Sequence, residues 1–98
     1  MRFEIILAPE VARALKALPA FQRAIVRDAL EVHLRRAPAK ESQSRIKRLH
    51  GLSQPQYRLR VHDYRISHDI IGQEVQILPI VTKAQAQAWL DAHGAGDP

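Results

Sequence analysis

Between Tyr57 and Ile70 the chain reads YRLRVHDYRISHDI: apolar and cationic residues alternate, break at His62-Asp63, and alternate again. A period of two is the mark of a β-strand, whose successive side chains point to opposite faces. With His62-Asp63 as a two-residue turn, Val61 stands opposite Tyr64, Arg60 opposite Arg65, Leu59 opposite Ile66 and Arg58 opposite Ser67. Leu59, Val61, Tyr64 and Ile66 then share one face, and Arg58, Arg60 and Arg65 share the other. Like charges directly opposite one another destabilise a sheet by roughly 0.2–1 kcal/mol, and an anion held between them removes that penalty. Guanidinium groups also grip phosphate or carboxylate bidentately, which makes the triad the candidate anion site. The structural alternative is a solvated face of splayed arginines, since exposed charge pairs count for little.

The flanking sequence supplies what such a ribbon packs against. RFEIILA alternates as an opening edge strand, and Pro9 suits the first position of a short helix carrying Val11, Ala14, Leu15 and Leu18. Pro19 ends it. A second helix is expected from about Ala20 to Arg36, with Phe21, Ile25, Val26, Ala29, Leu30 and Leu34 as its apolar stripe. Ala37 to Gln56, rich in Ser, Gln, Pro and positive charge, reads as a connecting loop with room for a helical turn around Arg45 to Leu49. Tyr57 to Val61, Tyr64 to Ile71 and Glu74 to Val81 form a three-stranded meander, with Gly72-Gln73 as its second turn. Thr82 and Gln85 make a capping box for a last helix that Gly94 stops. The fold class is α+β with the order β-α-α-β-β-β-α: an antiparallel sheet against a helical hairpin, then a short C-terminal helix. One domain over residues 1–94 and a flexible tail over 95–98 are expected, as 98 residues support a single core.

Composition narrows the partners. The 46% hydrophobic and 26% charged content is that of a folding chain rather than a disordered one. With no cysteine there is neither a disulfide nor a thiolate metal site. The apolar run Ile77 to Val81 is too short to span a bilayer, and MRFEIILAPE lacks the apolar core of a signal peptide, so a cytoplasmic protein without membrane contact is expected. Fifteen Lys and Arg against ten Asp and Glu give a net charge of +5, and the pI is near 10.2. That balance favours nucleic acid or an acidic protein segment, although surplus arginine can also serve solubility alone. His68 falls on the apolar face and reads as a satisfied core residue, while His50, His62 and His93 show no metal-ligand spacing. No metal or other cofactor is expected. Trp89, six residues after Lys83, reads equally as an anchor for the last helix or as a contact for a base.

KRLHGL, Lys47 to Leu52, running on to YRLRVHDYRI, resembles the RelE/ParE superfamily of toxins from bacterial type II toxin–antitoxin operons. APEVARALKALP, the long second helix and the closing IVTKAQAQAWL extend the resemblance over nearly the whole chain. It implies a RelE-like strand, helical hairpin, meander and terminal helix. The RelE branch implies an endoribonuclease, an mRNA interferase that inhibits translation by cutting mRNA in the ribosomal A site. There a ribose 2′-oxygen attacks the adjacent phosphate, which calls for a base, cations on the developing phosphorane and an acid. The family's cationic positions fall on Arg58, Arg60, Arg65 and Lys83, and its helix aromatic on Trp89. Arg45, Lys47, Arg48 and Trp89 are the implied RNA-binding residues.

Two departures matter. Arginine replaces the lysines frequent in such enzymes, and because a guanidinium stays protonated at physiological pH it makes a poor base. Trp89 stands where tyrosine is frequent and offers no acidic phenol, though it can stack. Acid and base then fall to His50, His62 or Lys47. The ParE branch, which inhibits DNA gyrase without nuclease activity, is the alternative, and a degenerate module binding only antitoxin or nucleic acid is a third. The implied partners are a cognate acidic antitoxin, the ribosome and mRNA or alternatively gyrase, and operator DNA only through the antitoxin.

Overall fold

The computed structural model describes residues 2–96. Strand β1 (Glu4–Leu7) leads to helix α1 (Pro9–Ala17), with Pro9 in its first turn, and then to α2 (Ala20–Ala29), which continues as a π-helical turn over Leu30–Leu34. Strands β2 (Ile46–Arg48), β3 (Leu52–Gln54), β4 (Tyr57–Val61), β5 (Tyr64–Ile71) and β6 (Glu74–Thr82) follow, then α3 (Lys83–His93) and the two-residue β7 (Ala95–Gly96). Asp97 and Pro98, half of the expected tail, lie outside the described residues, and Ala95 and Gly96 pair with β3.

β4 and β5 pair in the register that the alternation dictates, from Tyr57 opposite His68 to Val61 opposite Tyr64. His62 takes a left-handed φ of 51° to close that turn and Gly72 a φ of +60° to close the next, as tight hairpin reversals require. On β6 the register slips between Ile77 and Ile80 opposite Ser67. Pro79 falls in that slip, where a missing N–H costs no ladder bond.

Three expectations need correction. The sheet is mixed rather than antiparallel, because β1 docks parallel on the outer edge of β6 in the order β1-β6-β5-β4-β2. Ile46 to Arg48 is a strand and not a helical turn: it occupies the free edge of β4, Ile46 opposite Leu59 and Lys47 opposite Arg58, with Ile46 buried in the core. Phe21 lies off the core stripe. Val26, Leu30 and Leu34 repeat every fourth residue toward the sheet, and Phe21, five residues before Val26, turns outward and is 77% exposed.

Val11 and Leu15 of α1 and Val26, Leu30 and Leu34 of α2 pack with Ile46, Leu59, Val61, Ile66, Val75 and Ile77 of the sheet. Each such side chain contributes roughly 1.5–3 kcal/mol on burial. The apolar face therefore readily outweighs a repulsion of up to about 1 kcal/mol between arginines on its reverse. α3 runs along β6 and β5, held at its start by a reciprocal cap between Thr82 and Gln85. Its buried residues are Ala86 and Leu90, while Trp89 stays half-buried, so the helix is anchored by Leu90 rather than by the tryptophan. Among the described residues no helix is long and apolar enough to cross a membrane.

Candidate anion-binding site

Strand alternation and pairing bring the cations together. Lys47 on β2, Arg58 on β4 and Ser67 on β5 stand in one cross-strand row. Arg60 and Arg65 form the next row, and the Arg60 N–H donates to the carbonyl of Arg45 at 2.8 Å, which extends that row toward the preceding loop. Residues Ser42 to Arg45 close over this face. Ser42 Oγ accepts the N–H groups of Arg45 (3.0 Å) and Ile46 (3.4 Å), while its own N–H donates to Ile46 O at 2.9 Å. The result is a polar concavity of about 170 Å3 lined by Ser42, Gln43 and Ser44 together with Arg45, Lys47, Arg58, Arg60 and Arg65.

Arg65 is the fixed member. Only 8% exposed, it donates through Nη1 to the carbonyls of His62 (2.8 Å) and Tyr64 (2.9 Å), which aims the guanidinium along the turn. Burial draws its pKa below the ordinary guanidinium value; the neighbouring Arg60 and Arg58 lower it further, and Asp63 opposes them weakly. Among the described residues the one ion pair is Glu31 with Arg35, on the helical hairpin. Among those residues no carboxylate forms a salt bridge with the five cations, and a group drawn down by its cationic neighbours gains from a bound anion.

A second concavity, of about 420 Å3, adjoins the first: Lys47 and Arg58 line both. Its other walls include Arg48 at the end of β2, His50 from the β2–β3 connection, and Gln87, Leu90 and Asp91 from α3. Arg48 is partly committed, donating to Gln56 O at 2.7 Å with its guanidinium carbon 5.2 Å from the centre of the Tyr57 ring. His50 is thus the imidazole that shares a concavity with Lys47 and Arg58. His62 lines a different one with Ile25, Val61 and Arg45. Lys83 and Trp89 line neither cationic concavity. Lys83 is exposed at the start of α3, its backbone N–H bonded to Asp63 O at 2.7 Å, and Trp89 stacks on His93 with ring centres 5.1 Å apart.

His68 is the core residue its position in the alternation implies. It is fully buried, donates from Nε2 to Pro38 O at 2.9 Å, stacks on Tyr57, and burial pulls its pKa below the usual imidazole value. Sequence reasoning passed over Ser42, Gln43 and Ser44, whose one signal is a short polar run just before the basic strand. It also passed over Asp69, buried on β5, which accepts the Gln56 N–H at 2.7 Å while Gln56 Oε1 accepts that of Ile70 at 2.9 Å. That clasp ties the β3–β4 connection to the sheet. Among the described residues no group of three or more His, Asp or Glu side chains is placed to hold a metal ion.

The architecture has counterparts among solved structures. One chain of the archaeal RelE–RelB complex from Pyrococcus horikoshii superposes with a TM-score of 0.65 at 23% identity, covering 87% of this chain and 99% of that one. One chain of the RelB–RelE antitoxin–toxin complex from Methanococcus jannaschii gives 0.63 at 19% identity, covering 86% and 96%. At these identities the shared property is the fold. No family model matches the sequence, and no curated protein matches it either.

Proposed function

We propose that this chain is the toxin of a type II toxin–antitoxin pair and acts on RNA as a RelE-like mRNA interferase on the ribosome. The observation that carries the reading is the gathering of Arg45, Lys47, Arg58, Arg60 and Arg65 around one polar concavity, with no carboxylate among the described residues in a salt bridge with them. A phosphodiester supplies the missing charge, and arginine matches its geometry. In the reaction, a ribose 2′-oxygen bonds to the adjacent phosphorus and the bond to the 5′-oxygen breaks, leaving a 2′,3′-cyclic phosphate and a 5′-hydroxyl. Arg58, Arg60 and Arg65 hold the phosphate and stabilise the charge that grows on its oxygens. They do not move protons. His50, across the Lys47–Arg58 divide, is the residue of this chain best placed to do so. The partners are ribosome-bound mRNA and a cognate acidic antitoxin that covers the basic surface, and the compartment is the cytoplasm.

A binding-only reading has one observation in its favour: Lys83, Trp89 and His62 do not line the concavity that gathers the arginines, His62 sharing only a neighbouring one with Arg45, so few proton-transfer groups face it. On that reading the chain is a ParE-like gyrase inhibitor or a degenerate binding module. Inducing the protein in cells and mapping transcript 5′ ends separates the two. The interferase gives codon-phased cuts in translated mRNA that Arg60→Ala and Arg65→Ala abolish. Intact mRNA with double-strand DNA breaks contradicts it.

A further inference from the structure

The second concavity differs from the first by one residue type. Among the described residues that line the two, Asp91 is the single carboxylate. It shares about 420 Å3 with Lys47, Arg48 and Arg58 and forms no salt bridge with any of them among those residues. The carboxylate is held by its own helix instead: Gln87, one turn earlier on α3, donates from Nε2 to Asp91 Oδ1 at 2.9 Å. Oδ2 and the remaining lone pair of Oδ1 are left for a ligand. Leu49 and Leu90, both buried, and the partly buried Leu52 give the same concavity an apolar lining. Gly96 pairs with Leu52 and Ala95 with Gln54, which ties the chain after α3 to β3 and holds these walls together. The volume is in the range of small-molecule sites, which combine apolar lining with a few placed polar groups.

Its chemistry selects an occupant. Lys47 and Arg58 line both concavities and attract a phosphate, whereas Asp91 repels one, so a nucleotide enters with its phosphate at the cations and its base toward α3. Unstacked bases of single-stranded RNA are read along their Watson–Crick edges. A carboxylate offers two acceptors side by side and therefore calls for two N–H groups side by side. Guanine presents that pair, N1–H and N2–H. Adenine and cytosine set a ring lone pair beside their amino group, and uracil flanks its N3–H with two carbonyls, so each opposes one carboxylate oxygen with another acceptor. We propose that the second concavity is a guanine-reading subsite, in which Asp91 accepts from N1–H and N2–H of a guanine whose phosphate lies at Lys47 and Arg58. Gln87 is the positioning residue that holds the carboxylate. The subsite deepens the RNA-directed reading and rests on the cationic concavity being its phosphate site.

Fluorescence polarisation on the full chain tests it, with a short labelled oligouridylate whose central residue is guanosine, adenosine, cytidine or inosine. GMP and AMP are titrated separately by NMR. The guanosine oligonucleotide should bind about tenfold tighter than the adenosine and cytidine ones, and inosine, which lacks the N2 amino group, should lose most of that gain. Asp91→Asn should bring the guanosine-to-adenosine ratio to within about twofold, because one of the two acceptors becomes a donor. Asp91 is exposed, so an unchanged thermal melt certifies the fold of that variant. Arg58→Ala should weaken every oligonucleotide by a similar factor and leave the ratio in place. Equal binding of all four oligonucleotides, a preference for another base, inosine as good as guanosine, or a ratio that survives Asp91→Asn each overturns the subsite; with Arg58-dependent binding intact, the phosphate reading then stands without it. If no RNA binds but GMP still binds about tenfold tighter than AMP and loses that margin in Asp91→Asn, the RNA reading falls and the guanine subsite stands. Binding of none of these probes sinks both.

Discussion

The two faces of the β4–β5 ribbon are built from the same residues in the same register and are governed by different forces. On one face Leu59, Val61 and Ile66 are buried in the core that α1 and α2 cover. On the other, Arg58, Arg60 and Arg65 converge with Lys47 on a concavity that nothing in the described chain neutralises. Packing accounts for the first face completely. Packing does not account for the second, and on the proposed function it awaits a phosphate, so the contrast sets what the fold needs beside what we propose it is for.

The contrast breaks or holds on substitution. Leu59→Ala should cost about 2–5 kcal/mol in urea unfolding, because its cavity lies at the centre of the core. Arg65→Ala should cost roughly 1–3 kcal/mol and weaken RNA binding as well, since its guanidinium also satisfies the carbonyls of His62 and Tyr64. Arg65 is thus where the two faces meet. His68 gives a smaller effect that depends on pH. Its pKa in the folded chain is lowered from the usual 6.5, so the unfolded chain binds the proton more readily. Its contribution to stability is complete above pH 6.5 and is lost as the pH falls from there toward the lowered value. His68→Gln, which keeps a donor for Pro38 O, should flatten that part of the acid slope, as read from urea midpoints on either side of pH 6.5. Smallest is Arg60→Ala: stability unchanged or higher by up to about 1 kcal/mol, because a like-charge pair with Arg65 disappears. A loss of stability at Arg60 comparable to that at Leu59 would erase the distinction between the faces.

The ribbon was legible because its period is long enough to count. Five residues before the turn and eight after it leave one register that buries Leu59, Val61 and Ile66 together, and the cationic face follows from it. Ile46-Lys47-Arg48 was not legible. Three residues show no period, and they are a strand only because β4 offers a free edge. The same holds for β1, whose alternation marks a strand without saying that it will lie parallel to β6. Trp89 left two readings open for a related reason: on a helix with small residues on most sides, size alone does not decide which residue faces inward, and Ala86 and Leu90 do. Within the site, the arginines could be placed from sequence because strands fix direction. Ser42 to Ser44 could not, because their position depends on hydrogen bonds within the loop.

The salt dependence of binding to a single-stranded RNA oligonucleotide tests the central claim most directly. Contacts to between three and five phosphates predict that log affinity falls against log salt with a slope of about 2 to 3.5 in magnitude. Arg58→Ala and Arg60→Ala should each lower that slope by about 0.7. An affinity indifferent to salt, or a slope that both substitutions leave unchanged, would contradict the assignment of this face as a phosphate site.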